Sequence, residues 1–205
     1  MHISEGFLSP PLLTAGWAMA GVGLAWGLKK MEPDKIVRVA IASSAFFLAS
    51  LVNVRIPPGS AHLSLIAPMG LLLGRSAFPA VFTALLLQAV LFQFGGLMVL
   101  GVNSVSMGAP ALCVYLLFGR AVRSANAKTA AAAAFAAGVT GVLLGIAIVS
   151  AWLVLWDRNM LLSAETLFAA HLPVAVVEGI ITLCTVSFLR KSFPDVLDGL
   201  NVERA

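Results

Sequence analysis

The first two residues of the chain, Met1 and His2, place an α-amine, a backbone amide and an imidazole next to one another. A divalent metal ion can be chelated by these three nitrogen atoms, in fused rings that lie nearly flat. A flat, all-nitrogen site suits Ni²⁺ or Cu²⁺ better than Zn²⁺ or Mg²⁺. We interpret His62 as the source of the fourth nitrogen in the plane. The alternative is that His2 is an exposed residue at a ragged terminus, where disorder is common.

A second pair of candidate residues lies late in the chain, where His171 and Glu178 are seven residues apart. That spacing puts them on one face of a helix, two turns apart. Glu178 is the only acidic residue within a predicted membrane span, and carboxylates inside a membrane are costly and usually functional. Glu178 also has a structural alternative, because it can brace the bundle by hydrogen bonding to a neighbouring helix. We therefore interpret the pair as supporting the bundle or orienting the ligands, and not as ligands themselves.

Two further polar residues, Asn103 and Gln93, flank a predicted outer loop, from which they could orient metal ligands by hydrogen bonding. Polar residues in and beside membrane spans more commonly satisfy backbone groups and form hydrogen bonds between helices. We assign that structural role to Asn53, Gln88 and Ser106.

The elements that position these residues are predicted to be membrane helices. Of the 205 residues, 60% are hydrophobic and only 11% are charged, and the mean hydropathy is +0.99. Water-soluble domains average about 25% charged residues, so the composition indicates a polytopic α-helical membrane protein with one compact bundle. The two cysteines, Cys113 and Cys184, form no CxxC motif and indicate neither a thiolate metal site nor a disulfide framework.

Apolar runs predict seven membrane spans, at residues 11–28, 36–52, 62–73, 77–94, 104–118, 129–156 and 167–189. The third has 12 residues, about 18 Å of helix at roughly 1.5 Å per residue, against a hydrocarbon core of about 30 Å. It must begin below the membrane surface, or form a half-helix reached by a dipping loop. His62 begins this segment, after a Pro/Gly/Ser-rich loop at residues 53–61 that cannot be regular helix.

The domain prediction is a single transmembrane metal-binding bundle over residues 1–190. Within it, residues 1–10 form the metal-chelating segment, and residues 191–205 follow it as a cytoplasmic tail. The first residues lack the basic segment of a secretory signal, so the amino terminus is expected to be retained.

Basic residues orient the bundle, because the cytoplasmic loops of membrane proteins carry an excess of Lys and Arg. With the amino terminus extracytoplasmic and the carboxyl terminus cytoplasmic, only Arg55 and Arg158 of the 13 basic residues lie outside, which leaves 11 inside. The net charge of +4 is therefore interpreted as orientation charge, and no nucleic-acid partner is predicted. The same topology puts all three histidines on the extracytoplasmic side.

The chain lacks the motifs of several enzyme classes. It has no GxxxxGK[ST] phosphate loop, so ATP hydrolysis is not expected of it. HExxH and GxSxG are also missing, which argues against the usual zinc protease and against a hydrolase nucleophile elbow.

Four stretches of the sequence together suggest a family: MHISEGFLSP, NVRIPPGSAHL, LLLQAVLFQFGGLMVLGVNSVSMG and HLPVAVVEGIIT. From Met1 to about residue 190 the chain resembles the CbiM/NikM family, the substrate-binding membrane subunits (S components) of energy-coupling-factor (ECF) transporters for cobalt and nickel. The resemblance implies a seven-helix bundle whose amino terminus is tucked into the outer face. It also implies that the metal is held by the amine of Met1, the amide and ring of His2, and the ring of His62.

The resemblance implies partners as well: a transmembrane coupling (T) subunit, two cytoplasmic ATP-binding subunits and often a small accessory membrane subunit. The predicted function is capture of Ni²⁺ or Co²⁺ as the transported substrate of an ATP-driven uptake system in the prokaryotic cell membrane. Three alternatives stay open: a stand-alone metal carrier, an intramembrane metal-dependent enzyme using His62, His171 and Glu178, and a scaffold without a metal. An enzyme would keep water or substrate on an open metal position.

Overall fold

The computed structural model describes residues 2–29, 31, 33–51, 53–56 and 59–198. The predicted ligand Met1 lies outside the described residues, as do residues 199–205 of the predicted cytoplasmic tail. The described chain is an α-helical bundle with three short strands.

Eight α-helices make up most of the described chain. Their bounds are α1 Pro10–Leu28, α2 Pro33–Leu51, α3 Ile66–Leu73, α4 Ala77–Phe92, α5 Leu100–Val122, α6 Ala127–Trp156, α7 Leu161–Ser192 and α8 Pro194–Asp198. Single 3-10 turns, Gly74–Ser76 and Arg158–Met160, precede α4 and α7. Local sequence explains two helix starts: Pro10 occupies the first turn of α1, where proline is tolerated, and the Asn126 side chain accepts hydrogen bonds from the first amides of α6.

Five stretches of the described residues are long and apolar enough to cross a membrane. They are Pro10–Leu28, Ile66–Phe92, Leu100–Val122, Ala127–Trp156 and Arg158–Ser192. Helix α2 has the length but is not among them, because Asp34, Lys35 and Arg38 put three charges into its first turns.

The stretch Ile66–Phe92 contains two helices, because the chain breaks at Gly74. Gly74 has φ 57° and ψ −124°, a conformation that residues with a side chain rarely adopt. Helix α3 before the break runs in the direction of α7, since Ser64, just before α3, binds Glu178, while Leu71 packs in one cluster with Val186.

Helix α4 after the break runs against α1. Trp17 packs on Phe82 with ring centroids 6.2 Å apart, and Trp26 packs on Arg75, which lies 5.0 Å from its ring. Helices α1 and α7 start beside each other, where Phe7 packs on Trp156. Helix α3 runs parallel to α7, α4 runs antiparallel to α1, and α1 and α7 start at the same end of the bundle. Helices α3 and α4 are therefore antiparallel, and the short apolar segment predicted at residues 62–73 contains a helix separate from α4.

The three strands form a small antiparallel sheet in the order β1-β3-β2. Strands β2 (Asn53–Ile56) and β3 (Gly59–His62) form a hairpin, and β1 (His2–Ile3) adds to its free edge. In the register of β1 and β3, His2 lies opposite Ser60. The Pro/Gly/Ser-rich segment is thus a hairpin that ties the first residues of the chain to the start of α3.

The prediction that His62 begins the third helix is wrong: His62 ends β3, and α3 begins at Ile66. The intervening Leu65 has φ 47° and ψ 25°, in the left-handed region. A residue in that conformation cannot continue a right-handed helix, so α3 starts only after it. Strand pairing holds His62 in extended backbone instead.

Candidate metal site

The two histidines predicted to share a metal ion, His2 and His62, lie side by side. Both side chains are 3% exposed, and their ring centroids are 4.6 Å apart. The Nδ1 atom of His2 lies 2.8 Å from the Nε2 atom of His62. Strand pairing explains this approach, because His2 faces Ser60, and residues two apart on a strand share one face of the sheet.

In the His62 ring the proton lies on Nδ1, the nitrogen that faces away from His2. His62 Nδ1 lies 2.8 Å from the carbonyl oxygen of Leu63, which can only accept a hydrogen bond. A neutral imidazole has one protonated nitrogen, so His62 Nε2 presents a lone pair toward His2.

A chain of hydrogen bonds fixes the tautomer of His2 in the same way. Ser50 Oγ donates to the carbonyl oxygen of Phe47 at 2.8 Å and accepts from Gln88 Nε2. The oxygen of the Gln88 amide is therefore turned toward His2 Nε2, 3.0 Å away, and this nitrogen donates to it. His2 Nδ1 consequently presents a lone pair toward His62.

Two lone pairs that face each other at 2.8 Å repel unless a cation lies beside both. Imidazole nitrogen binds divalent metal ions at about 2.0 Å. Two such ligands at a right angle are about 2.8 Å apart, whereas tetrahedral ligands at the same bond length are about 3.3 Å apart. The pair therefore has the separation of two ligands at a right angle, which is found in planar and octahedral sites and not in tetrahedral ones.

Burial keeps both rings in the form that binds metal. Loss of contact with water lowers the pKa of His2 and of His62 well below the ordinary value of 6.5. The pair is therefore neutral near pH 7, and neutral imidazole is the metal-binding form.

Helix α5 fixes the backbone of the first residues through Asn103. Its Oδ1 atom accepts the amide of Ile3 at 2.9 Å, and its Nδ2 atom donates to the carbonyl oxygen of Ile3 at 3.0 Å. Glu5 adds two links to the loop before α5, since its amide donates to Gly95 O at 3.1 Å and its Oε1 accepts the amide of Met98 at 2.8 Å. Hydrogen bonds to α5 and to the loop before it thus fix residues 3–5.

The loop between α4 and α5 closes over the rings. Phe94 packs edge-on against His2 with ring centroids 4.6 Å apart. Gly95 has φ 84°, and a Cβ atom there would lie 3.3 Å from His2 Cδ2. A larger residue at Gly95 would be strained in its backbone and would crowd the ring.

The four remaining predicted residues lie at different places in the fold. Asn103 orients the β1 backbone, as described above. Gln93 ends α4 with an exposed side chain, and His2 is contacted instead by Gln88, for which only a general structural role is expected from the sequence. His171 is fully buried in α7, where Nδ1 donates to Leu167 O at 2.7 Å and Nε2 has no hydrogen-bond partner among the described residues.

Glu178 is also fully buried, and its carboxylate binds the turn that follows His62. Its Oε1 atom accepts the amide of Ser64, the hydroxyl of Ser64 at 3.2 Å and the amide of Leu65 at 2.9 Å. Neither Ser64 nor Ser50 could be singled out from the sequence, since a serine in a membrane helix or loop is common.

No group of three His, Cys, Asp or Glu residues within the described part of the chain is placed to hold a metal. In particular, His62, His171 and Glu178 do not form the three-residue site that the enzyme alternative needs. Beside His2 and His62 the described residues offer no third His, Cys, Asp or Glu ligand.

Comparison with known proteins gives the chain a family. A family model described as "Cobalt uptake substrate-specific transmembrane region" matches residues 2–196. A protein of Haemophilus influenzae whose name assigns it to metal transport is 36% identical over 201 residues, which cover 97% of each chain. The fused nickel transport protein NikMN of Rhodobacter capsulatus is 29% identical over 223 residues, which cover 96% of this chain and 64% of the relative.

The fold is also similar to that of a solved protein. A crystal structure of a transition metal transporter has a TM-score of 0.75 to this chain, at 25% sequence identity, and the match covers 100% of both chains.

Proposed function

The chain belongs to the CbiM family of cobalt-uptake transmembrane proteins, and from this premise we propose that it is the ion-capturing membrane subunit of an uptake transporter for Co²⁺ or Ni²⁺. As a member of this family it is a multi-pass protein of the prokaryotic plasma membrane. The observation that carries the proposal is the pair of buried, neutral imidazoles whose lone pairs face each other at 2.8 Å.

The proposed ligands are four nitrogen atoms in one plane. His2 Nδ1 and His62 Nε2 occupy two neighbouring corners. The deprotonated amide of His2 and the α-amine of Met1 supply the other two, because an amide and an amine close fused rings with the His2 side chain. Support for backbone ligands comes from the absence of a third His, Cys, Asp or Glu beside the pair in the described residues.

The proposed plane favours Ni²⁺, because a four-nitrogen square suits its electronic preference. Co²⁺ can use the same four nitrogen atoms with water added above the plane. The family description names cobalt and the Rhodobacter capsulatus relative is named for nickel, so both ions are proposed as substrates.

The proposed topology has seven crossings, α1 to α7, with the amino terminus and the metal site on the outer side. Two observations support it. Helices α3 and α4 are antiparallel, so they are counted as two crossings, and all but two of the 13 basic residues then lie on the inner side.

Energy for uptake is proposed to come from separate subunits, since the chain has no phosphate-binding loop. The partners would be a transmembrane coupling subunit and two cytoplasmic ATP-binding subunits, as in ECF transporters. The fused NikMN relative supports an additional small membrane partner, because in that protein further sequence continues beyond the part that this chain matches.

The experiment that tests this function measures metal uptake and metal binding together. The untagged chain, purified in detergent, should bind about one Ni²⁺ or Co²⁺ per chain in competition with a chelator, and give the absorption band of planar nickel–nitrogen coordination. Cells should take up the ion only when the ATP-binding subunits are also expressed. Uptake that does not require the ATP-binding subunits would favour a stand-alone carrier, and no binding at all would reject the proposal.

A further inference from the structure

Helix α7 is linked to the metal site through one carboxylate. Glu178 Oε1 accepts hydrogen bonds from the amides of Ser64 and Leu65, which are the second and third residues after His62. Leu63, between His62 and Ser64, holds the His62 ring through its carbonyl oxygen. The carboxylate therefore fixes the short segment from which the His62 ring is oriented.

The turn that Glu178 binds has a backbone conformation that the residues of the turn do not favour. Leu65 has φ 47°, a conformation uncommon for a residue with a side chain. Three hydrogen bonds to one oxygen of Glu178 stabilise this turn, since they pair the amides of Ser64 and Leu65 and the hydroxyl of Ser64, which are costly to bury without a partner.

The position of Glu178 itself is set by close contact between α6 and α7. A Cβ atom on Gly138 would lie 2.6 Å from the carbonyl oxygen of Glu178 and 2.6 Å from the Cα of Gly179. The two backbones thus touch at this level, which leaves α7 little freedom to shift or rotate there. Any displacement of α7 relative to α3 would act on Ser64 and Leu65.

We propose that Glu178 is a positioning residue for the metal site, which holds His62 opposite His2 by binding the amides of Ser64 and Leu65. The inference rests on the proposed function, because it concerns the same ion site. It assigns to α7, which contributes no ligand, control over how fast the ion dissociates: the ion stays bound while the carboxylate holds the turn.

Two substitutions at Glu178 separate position from charge. Glu178→Gln keeps the length of the side chain and an oxygen that can accept both amides, but removes the charge. Glu178→Asp keeps the charge but withdraws the oxygen by one methylene, out of reach of both amides at once. Thr182→Val is the matched control, since Thr182 is equally buried one turn further along α7 and bonds only to the carbonyl oxygen of Glu178 within its own helix.

The measurement is the rate at which Ni²⁺ leaves the untagged protein in excess chelator, followed by the planar-nickel absorption band, with metal-free melting temperatures recorded alongside. We expect Glu178→Asp to release Ni²⁺ about 10–100 times faster, the range typical of residues that orient metal ligands. Glu178→Gln should stay within about threefold of the unsubstituted protein and Thr182→Val should match it.

The outcomes separate this inference from the proposed function. Faster release from Glu178→Gln than from Glu178→Asp would overturn it, because charge rather than position would then matter. Equal release from all four proteins would overturn it while leaving the proposed function standing. Faster release from Thr182→Val with a matching fall in melting temperature would show a general loss of packing and would also overturn it. Failure of the unsubstituted protein to bind Ni²⁺ would reject both.

Discussion

At the scale of single residues, the site depends on which nitrogen of each imidazole carries the proton. Leu63 O accepts a hydrogen bond from His62 Nδ1 at 2.8 Å, and Gln88 Oε1 accepts one from His2 Nε2 at 3.0 Å. The two nitrogen atoms that face each other are therefore unprotonated and available to a cation. Residues that are not proposed as ligands thereby set the tautomers on which the proposed ion site depends.

The first prediction is that His62→Ala weakens Ni²⁺ affinity by more than about 100-fold, beyond the loss typical of residues that only orient a ligand. The bundle should still fold, because its core lies in the helices. Affinity is measured by chelator competition. His171→Ala is the comparison, since it removes an equally buried histidine outside the pair: it should lower the melting temperature but keep the metal stoichiometry. Equal loss of metal in both variants would contradict the assignment.

The second prediction concerns protons released on binding. Burial lowers the pKa of His2 and His62 below 6.5, so near pH 7 neither ring has a proton to lose. The α-amine, with an ordinary pKa of about 7.7–8.0, and the amide each lose one. Calorimetry in buffers of different ionisation enthalpy should therefore count about two protons per Ni²⁺ at pH 7.

The pH dependence follows from the same assignment. Affinity should fall steadily as pH decreases from about 8, because protons compete for the amine and the amide. The histidines add to that fall only below pH 6.5, where their lowered pKa values are reached. The same range would see the metal-free fold lose stability, since the unfolded chain takes up protons first. If calorimetry finds that almost no protons are released per Ni²⁺ at pH 7, the two rings bind the ion without the amine and the amide.

At the scale of elements, residues of β1, β3, α4 and α5 form the site, and α7 contacts the turn at Ser64 and Leu65. The apolar runs in the sequence located the helices, since long hydrophobic segments are visible without any knowledge of contacts. They misplaced the start of α3, because the turn at Ser64 and Leu65 depends on Glu178, more than 100 positions later in the sequence.

The pairing of His2 with His62 was predicted from residue chemistry and family resemblance, and the structure brings the two rings together. The residues around them were less accessible to such reasoning. Gln88 contacts His2 and Gln93 does not, because Gln93 adopts φ 54° at the end of α4 and turns outward. Which of the two glutamines contacts His2 depends on the residue at which α4 ends, and hydrophobic periodicity does not predict a helix end to the exact residue.

The third prediction tests the anchoring of β1 to α5. Asn103→Leu removes both hydrogen bonds to Ile3 and leaves two buried backbone groups unpaired. Ni²⁺ affinity should fall about 10-fold or more, as for other residues that orient metal ligands. Ser106→Ala is the control, because Ser106 is buried one turn along α5 and bonds only within that helix, to Val102 O. If both variants bind as the unsubstituted protein does, the anchor has no role in metal capture.

At the scale of the whole molecule, the helices serve mainly to bring the start of the chain to a buried position. Antiparallel α3 and α4 return the chain to the level of His2 at Gln88, and the loop before α5 closes over the rings through Phe94. The amino-terminal segment thus becomes part of the core, with Ile3 fully buried. Because His2 and Ile3 are buried, we expect residues added before Met1 to disturb this segment.

The most direct test of the site is therefore an extension of the chain at its amino end. One residue placed before Met1 converts the α-amine into an amide and adds chain next to the buried residues His2 and Ile3. We predict that this protein, verified intact by mass spectrometry, folds but retains no tightly bound Ni²⁺ or Co²⁺ by elemental analysis, while the same extension after Ala205 leaves about one ion per chain. Full metal occupancy in the amino-terminally extended protein would contradict the site on which the proposed function rests.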